Sequence, residues 1–412
     1  MVHKIQRLWG GAGMTKMKQI SFWSRPKRDI VYNGRAMNSR YLDAYLRKDL
    51  AKKLVLLSGP RQAGKTTLAK RLAGREGIYL NWDIRSHQRT IRQAGWPKDA
   101  PLVVLDELHK YLRWKNFLKG LCDEFGNRPP LLVTGSARLE TLRHGGDALT
   151  GRYYSYRLHP VDLSESRLFL DGKTPEQRLS HLLMTGGFPE ALIRPSDAER
   201  LRNDRFDQVL NEDLRDIHRN SSIRGLKLLI ELLRERTGGQ LSYARLADDI
   251  GVSPATVKSW LGLLEQLFVI FLVYPYSKGL ARSLRKEPKF YFYDCAASYN
   301  GEGAALENAV ACSLLKWAHL ERDAHGRQTE LRYFRDKEKR EVDFVVVQGR
   351  RPLWCIEAKT GREQLSPSLA YLHERLKPAA SFQLVRGLGA SFEMRGVKIL
   401  PLVPWLDSLN RI

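Results

Sequence analysis

The sequence predicts an α/β protein in three parts: a parallel sheet that carries a phosphate-binding loop, a mainly helical region, and a second α/β region. Three observations predict this fold. Apolar runs of strand length alternate with helical segments between residues 54 and 134. Helical patterns dominate residues 162–236. Two apolar strands joined by a short turn then follow within residues 340–359.

These patterns also predict where one part ends and the next begins. The expected divisions are a basic flexible tail at 1–38, the phosphate-loop domain at 39–165, a helical lid or linker at 166–236, a helix-turn-helix with a wing at 237–295, and the C-terminal α/β domain at 296–412.

The most specific motif lies between a strand and a helix. Leu54 to Leu57 is a predicted buried strand, and residues 59–66 fit G-x-x-x-x-G-K-[ST]. Lys65 is expected to contact the β- and γ-phosphates and Thr66 to hold Mg²⁺, so ATP and Mg²⁺ are the predicted cofactors. Backbone N–H groups and the helix N-terminus would bind the phosphates. The predicted nucleotide-binding residues are Gly59, Pro60, Arg61, Gln62, Ala63, Gly64, Lys65, Thr66 and Thr67.

Hydrolysis needs carboxylates beside the phosphates. The apolar strand at 102–105 ends in Asp106 and Glu107. Asp106 is expected to bind Mg²⁺ through water, and Glu107 to polarise the attacking water. Ser136 follows the next predicted strand, where a polar side chain can reach the γ-phosphate; alternatively it is a turn residue.

Arg152 is the predicted arginine finger, which one subunit would insert into the nucleotide site of its neighbour. It follows a Gly-Gly pair at 145–146 that lets the chain adjust. A finger in trans acts only across an interface, so this role requires a ring or at least a dimer. Alternatively Arg152 is a surface arginine, or Arg138 is the finger.

Charge and cysteine content indicate partners and compartment. A net charge of +24 and a pI near 9.9 favour a polyanion partner, DNA above all; the alternatives are solubility charge and a basic proteome. Four cysteines without C-x-x-C spacing argue against a zinc site and predict a reducing cytoplasm. No apolar run has the length of a membrane span, so no membrane partner is expected.

A helix-turn-helix is predicted at residues 241–268. Ser253 is a good N-cap and Pro254 suits the first helical position. A DNA-binding unit would place this second helix in the major groove and a basic wing on the backbone. Alternatively the helices only pack, since few basic residues lie near the start of the second helix. The predicted wing contains Lys278, Arg282, Arg285, Lys286 and Lys289.

The two C-terminal strands carry a second candidate site. Glu357 and Lys359 share one face of their strand, and Asp343 on the paired strand can meet them. Two carboxylates and a lysine suit a divalent-metal site for phosphodiester hydrolysis. Glu307 lies on the apolar face of a helix, where a metal network would supply its partner. The metal ligands are thus Glu307, Asp343 and Glu357; the alternatives are a salt-bridged strand pair and a nuclease fold that no longer cuts.

Together the motifs resemble a family of bacterial and archaeal AAA+ ATPases. The matching stretches are Gly-Pro-Arg-Gln-Ala-Gly-Lys-Thr-Thr, Leu-Asp-Glu, Thr-Gly-Ser-Ala, Leu-Thr-Gly-Arg-Tyr-Tyr and Gly-Gly-Phe-Pro-Glu-Ala, within residues 40–400. The resemblance implies an ATP-binding core, a winged helix and a restriction-endonuclease-like end. Asp343, Glu357-x-Lys359 and Glu307 are similar to the catalytic set of PD-(D/E)xK nucleases, including Holliday-junction resolvases.

Three functions are open at this point. The first is a cytoplasmic AAA+ ATPase that oligomerises and remodels branched or duplex DNA, with a C-terminal domain that clamps the DNA or cuts it with Mg²⁺. The second is an ATP-dependent switch for a protein partner, with a vestigial nuclease fold. The third is an ATP-gated DNA-binding regulator.

Overall fold

The computed structural model of the protein describes residues 31–32, 35–36, 39–135, 149–214, 222–277, 287–361 and 364–410. Up to Met37 the chain forms one unit, in which strands β1 (Val31–Tyr32) and β2 (Arg35–Ala36) pair antiparallel. The other unit runs from Asn38 to the C-terminus. Throughout the described ranges, every helix is too short or too polar to cross a membrane.

Five parallel strands form the first sheet, in the order β4-β5-β6-β3-β7. Buried apolar side chains cover both faces of the central strands, as expected where helices lie on each side. The strands are β3 (Leu54–Ser58), β4 (Ile78–Asn81), β5 (Val103–Asp106), β6 (Leu131–Thr134) and β7 (Tyr153–Arg157). The helices are α1 (Asp43–Leu50), α2 (Lys65–Ala73), α3 (Arg85–Arg92) and α4 (Trp114–Phe125). The predicted parallel α/β sheet is confirmed.

One helix starts later than its pattern indicates. A helix is predicted from Leu108, but residues Leu108–Lys110 form a 3₁₀ turn and α4 begins at Trp114. Glu107 has a φ of 56°, a left-handed conformation that redirects the chain directly after β5.

The middle of the chain is helical. Ser253 accepts a hydrogen bond from the Thr256 amide at 3.1 Å and caps α11, while Gly251 ends α10 with a φ of 76°. The helices and the turn of the predicted helix-turn-helix are therefore present. The helices are α5 (Leu163–Ser166), α6 (Pro175–Thr185), α7 (Pro189–Ile193), α8 (Ala198–Gln208), a π-helical turn (Val209–Asp213), α9 (Ile223–Arg234), α10 (Tyr243–Ile250) and α11 (Pro254–Gln266).

Eight strands form the second sheet, in the order β14-β15-β13-β12-β11-β10-β8-β9. They are β8 (Ile270–Pro275), β9 (Lys289–Phe292), β10 (Thr329–Arg335), β11 (Glu341–Gln348), β12 (Arg351–Lys359), β13 (Ala380–Val385), β14 (Phe392–Met394) and β15 (Val397–Pro401). The hairpin predicted as the wing, β8 and β9, extends this sheet because β8 pairs in parallel with β10. The predicted boundary at 295/296 therefore falls within one hydrogen-bonded sheet.

Three helices accompany the second sheet: α12 (Gly301–His325), α13 (Pro367–Leu376) and α14 (Leu402–Leu409). Helix α12 joins two cores. Its side chains Val310 and Leu314 are buried with strands of the second sheet, whereas Leu320 is buried with the core under the phosphate loop. The C-terminal part of the chain thus packs directly on the first sheet.

Candidate functional sites

The phosphate loop follows β3 at the edge where all strands of the first sheet end. Gly59 has a φ of 146°, and a Cβ there would lie 2.4 Å from the Leu158 carbonyl oxygen, so this position needs glycine. The Lys65 ammonium donates to the carbonyls of Gly59 and Pro60 at 2.9 and 2.7 Å. Burial lowers the pKa of Lys65. Its charge therefore lies inside the loop, where phosphate oxygens can accept its hydrogen bonds.

Asp106 is fully buried and its carboxylate is held on both oxygens. Thr66 donates to Oδ2 at 2.8 Å, as does Tyr79 at 2.5 Å, and the Thr134 hydroxyl donates to Oδ1. The structure thus brings together the two predicted Mg²⁺ residues. Burial and the Asp106 charge raise the pKa of Tyr79, so its hydroxyl stays protonated and donating. The sequence did not indicate a role for Tyr79 or Thr134, although both lie on strands next to β5, the strand that ends in Asp106.

Glu107 stands next to Asp106 with a strained backbone, a feature that clusters at functional sites. Burial raises the pKa of its carboxyl, although Lys65 opposes the shift. Its Oε2 lies 3.6 Å from His109 Nδ1 and 4.0 Å from Lys110 Nζ. A half-buried carboxylate with a raised pKa fits the predicted role of a group that accepts a proton from water.

Two residues of the loop contact the helical region. The Arg61 guanidinium binds Glu212 Oε2 at 2.5 Å and Asp213 Oδ1 at 3.0 Å. The Gln62 amide donates to Gln208 Oε1 at 3.3 Å. Glu212 and Asp213 close the π-helical turn after α8, a local geometry that is frequent at functional sites. Burial raises the pKa of Asp213, while Arg61 and then Lys65 lower it. These acids are functional candidates that sequence reasoning missed.

Arg40 binds a second part of the phosphate loop and holds it to the rest of the protein. Its buried guanidinium donates to the carbonyls of Ala63 at 2.9 Å and His159 at 2.7 Å, and to Glu165 Oε1 at 2.9 Å. The Lys316 ammonium of α12 donates to Glu165 Oε2 at 2.5 Å. Although burial disfavours the charge of Glu165, Arg40 and Lys316 hold its pKa at about 2. A buried chain of charges therefore links the phosphate loop to α12.

The other two predicted catalytic residues of the ATPase domain do not appear in this site. Ser136, and with it Arg138, is outside the described residues. Arg152 precedes β7, at the opposite end of the sheet from the phosphate loop; a five-residue strand spans about 17 Å. Its guanidinium pairs with Asp123 at 2.8 Å on the surface. Arg152 therefore lies far from the loop of its own chain, a position that fits both the predicted role in trans and the alternative of a surface arginine.

The C-terminal carboxylates surround a buried lysine. Lys289, at the start of β9, is only 2% exposed, and its ammonium lies 2.7 Å from Glu341 Oε1 and 3.2 Å from Glu307 Oε1. Tyr291 also donates to Glu307 Oε1, at 2.6 Å. Burial and the charge of Asp343 raise the pKa of Glu307 to about 7. Glu307 therefore has a lysine and a tyrosine as partners, both on its Oε1.

Asp343 and Glu357, predicted with Glu307 as ligands of one metal site, also contact protein donors. Glu357 Oε1 pairs with Lys359 at 2.6 Å, and Asp343 Oδ2 accepts the Ala358 amide at 3.0 Å. In the part of the chain that the structure describes, no group of three or more His, Cys, Asp and Glu side chains is placed to hold a metal ion.

Of the five basic residues predicted for the wing, the structure describes Lys289. Lys289 is buried among carboxylates, so it cannot contact a DNA backbone. The other four predicted wing residues, at 278, 282, 285 and 286, lie outside the described residues. On the second helix of the helix-turn-helix, Lys258 is exposed.

The sheet order, the loop and the Asp106–Glu107 pair define a P-loop ATPase domain of the AAA type. A family model described as "AAA domain" matches residues 51–167. Two further models match the rest: a domain of unknown function, DUF8612, at residues 176–300 and a domain of unknown function, DUF4143, at 302–405. The limit between the last two matches separates β8 and β9 from the other strands of the second sheet.

Relatives with similar sequences occur in bacteria and archaea. Uncharacterized proteins of Mycobacterium tuberculosis and Mycobacterium bovis are each 26% identical over 329 residues, which is 77% of this chain and 72% of theirs. An uncharacterized protein of Methanocaldococcus jannaschii is 21% identical over 444 residues, 94% of this chain and 90% of its own.

Solved structures resemble the chain more distantly. The Walker-type ATPase PABY2304 of Pyrococcus abyssi is 16% identical, with a TM-score of 0.41 over 66% of this chain and 97% of its own. PCH-2 of C. elegans is 18% identical, with a TM-score of 0.23 over 54% of this chain and 66% of its own.

Proposed function

We propose that the protein hydrolyses ATP with Mg²⁺ at the phosphate loop and uses the nucleotide state to change how its helical and C-terminal parts hold DNA, acting as an oligomer. The observation that carries this proposal is the contact between Arg61 of the loop and the acids Glu212 and Asp213 of the helical region. It joins the place where ATP would bind to the elements beyond the ATPase domain.

The contact between Arg61 and the acids Glu212 and Asp213 should respond to the negative charge of a bound nucleotide. A triphosphate brings several negative charges into the pocket occupied by Lys65, whose charge interacts with Asp213. Two like charges 4 Å apart repel by about 4 kcal/mol at an effective dielectric constant of 20. An exposed ion pair such as Arg61–Glu212 contributes only about 0–1 kcal/mol. A phosphate at that distance from Asp213 would be repelled by more than the exposed Arg61–Glu212 pair contributes, so we expect ATP to displace residues 212–213 even though the Asp213 carboxylate is more buried.

The opposite side of the loop is built to stay fixed. Arg40, Glu165 and Lys316 are buried and bonded to one another. Separating such groups would leave uncompensated buried charges, which costs about 3–5 kcal/mol. The phosphate loop thus has one firm attachment to α12 and one weak attachment to the π-helical turn, so movement is expected at the weak one.

Mg²⁺ fits the oxygen donors present. The Thr66 hydroxyl and the Asp106 carboxylate meet beside the loop, and Mg²⁺ favours oxygen ligands completed by water and phosphate. When bound, the ion neutralises developing charge on the phosphates. Glu107 is placed to orient and deprotonate the attacking water, while Lys65 holds the phosphates.

An oligomer would complete this site. Arg152 is a long way from its own loop, and a guanidinium offered to a neighbouring nucleotide would stabilise the charge of the transferring phosphoryl group. The ion pair with Asp123 holds the side chain on the surface, where a second subunit can approach.

DNA is the proposed partner because of the net charge of +24. A strongly cationic protein attracts a polyanion, and neutralised phosphates release counterions. The test is binding of a labelled duplex and of a four-way junction over a series of salt concentrations, with and without ATP. Glu107→Gln should hold ATP unhydrolysed, and Lys65→Ala should not bind it.

We expect log affinity to fall linearly with log salt, and the ATP-loaded Glu107→Gln protein to differ from Lys65→Ala in affinity. Equal affinity in both states, together with an ATPase rate that no DNA alters at low salt, would contradict the proposal.

A second candidate is a switch that acts on a protein partner through the C-terminal domain. The specific observation in its favour is Lys289, which fills the carboxylate cluster that a DNA-cutting domain would keep for a metal. Under this alternative, DNA leaves ATP hydrolysis unchanged, while the nucleotide-dependent change at residues 209–213 persists.

A further inference from the structure

The carboxylate cluster of the second sheet, formed by Glu307, Glu341 and Asp343, already contains a cation. The Lys289 ammonium lies 2.7 Å from Glu341, 3.2 Å from Glu307 and 3.9 Å from Asp343. Because the side chain of Lys289 is 3% exposed, the ammonium has left bulk water and depends on these oxygens for its solvation.

The lysine cannot readily swing away from this position. It begins β9 and pairs with Val273 of β8, and it forms an isolated bridge with Gln240. The Gln240 side chain in turn donates to the Tyr333 hydroxyl at 2.7 Å. Lys289 also lies 5.8 Å from the centre of the Tyr333 ring. Backbone pairing with Val273 and Gln240 fixes the main chain at Lys289, and burial restricts the position of its ammonium group.

Two further basic side chains pair with carboxylates of this region. Arg335 binds the second oxygen of Glu341 at 2.9 Å, and Lys359 binds Glu357 Oε1 at 2.6 Å. Glu357 Oε2 is buried and meets no donor among the described residues. A divalent ion here would sit beside the positive charges of Lys289, Arg335 and Lys359, and no group of three or more His, Cys, Asp and Glu side chains among the described residues is placed to hold one.

We infer that Lys289 is the resident cation of this cluster and takes the place that a divalent metal would occupy in a nuclease-like site. The cluster is then a permanent, metal-independent ion network that ties β9, α12 and β11 together. Its carboxylates are compensated by protein charges at all times, and the C-terminal domain does not recruit a metal ion there.

Thermal unfolding of the full chain without nucleotide tests this inference. Lys289→Met should lower Tm clearly, because it leaves carboxylates buried without their cation. Neutralising one of them as well, in Lys289→Met/Glu307→Gln, should recover a large part of the loss. Glu302→Gln, an exposed glutamate on the same helix, combined with Lys289→Met, is the control and should recover nothing. A Lys289→Met protein as stable as the parent would overturn the inference.

A second measurement does not depend on how well these variants fold. Millimolar Mn²⁺ should not raise the Tm of the unmodified chain, and any shift it causes should be the same in Glu357→Gln. If Mn²⁺ raises the Tm of the unmodified chain and Glu357→Gln or Asp343→Asn abolishes that rise, the cluster binds a metal despite Lys289 and the inference fails.

Discussion

The guanidinium of Arg61 lies 3.0 Å from the carboxylate of Asp213, although 152 residues separate the two in sequence. This ion pair connects the phosphate loop with the π-helical turn of the helical region. It leaves an acidic side chain close to the pocket that must accept a triphosphate. Under the proposed function, ATP binding displaces this ion pair.

Replacing that acid should favour ATP. Asp213→Asn removes a negative charge close to Lys65, and we expect nucleotide affinity to rise roughly 10-fold, equivalent to about 1.4 kcal/mol. Titration with a fluorescent ATP analogue measures the effect. Asp207→Asn is the matched control, because Asp207 lies on the preceding helix but pairs with Lys227. An equal gain in nucleotide affinity in both variants would mean that the affinity depends on net charge and not on the position of Asp213.

The Tyr79 hydroxyl should matter for hydrolysis more than for folding. Tyr79→Phe removes the 2.5 Å hydrogen bond that orients the Asp106 carboxylate. Loss of such an outer-shell contact to a metal ligand typically costs 10–100-fold, and we expect a fall in ATPase rate of about that size. Extra Mg²⁺ should restore part of the rate. An unchanged rate at limiting Mg²⁺ would show that the tyrosine does not position Asp106.

Arg152→Ala distinguishes between two roles of Arg152: an arginine finger in trans, or a residue that only forms a surface ion pair with Asp123. If Arg152 acts in trans, its loss should lower the ATPase rate roughly a thousand-fold. Asp123→Ala, which breaks the same ion pair from the other side, should leave the rate nearly unchanged. Mixing Arg152→Ala with Lys65→Ala chains should restore activity in part, because each supplies what the other lacks. Similar losses in the Arg152 and Asp123 variants, without rescue, would leave Arg152 a structural residue.

Glu165 should make the fold sensitive to acid. Its pKa in the folded protein is about 2, below its ordinary value of 4.5. A depressed carboxyl pKa contributes stability above pH 4.5 that is lost as pH falls toward 2. At neutral pH, Glu165→Gln should lose about 3–5 kcal/mol, because Arg40 and Lys316 lose their charged partner.

Urea unfolding across this pH range measures the effect. The difference in free energy of unfolding between the natural chain and Glu165→Gln should narrow as pH falls from 4.5 to 2. Glu190→Gln, which removes an exposed glutamate paired with Arg194, should change stability by less than about 1 kcal/mol. A Glu165→Gln deficit that stays constant with pH would contradict the assigned pKa.

Local patterns were enough to predict much of the ATPase domain. The apolar run that ends in Asp106, the glycine spacing of the loop and the helix after Lys65 are each contained within about ten residues, and the structure places Thr66 against Asp106 as the motifs imply. The cap at Ser253 was predicted for the same reason, because a cap depends on neighbours three residues away.

Contacts between distant segments could not be predicted in this way. Lys289 starts a strand, as its sequence pattern predicts, but it was expected to belong to a basic wing, whereas its neighbours are carboxylates of α12 and β11. Arg40 meets Glu165 across 125 residues, and no periodicity links them. The position of Glu341 beside Asp343 was visible, but only tertiary packing shows that both face the same ammonium.

The central claim is that ATP at the phosphate loop releases Glu212 and Asp213 from Arg61. Amide hydrogen exchange of residues 209–214, with and without a non-hydrolysable ATP analogue and Mg²⁺, tests it most directly. We predict faster exchange in this segment when nucleotide binds, no change in Lys65→Ala, and fast exchange without nucleotide in Arg61→Ala. Unchanged or slower exchange at 209–214 in the unmodified chain, at a nucleotide concentration that saturates the loop, would contradict the account.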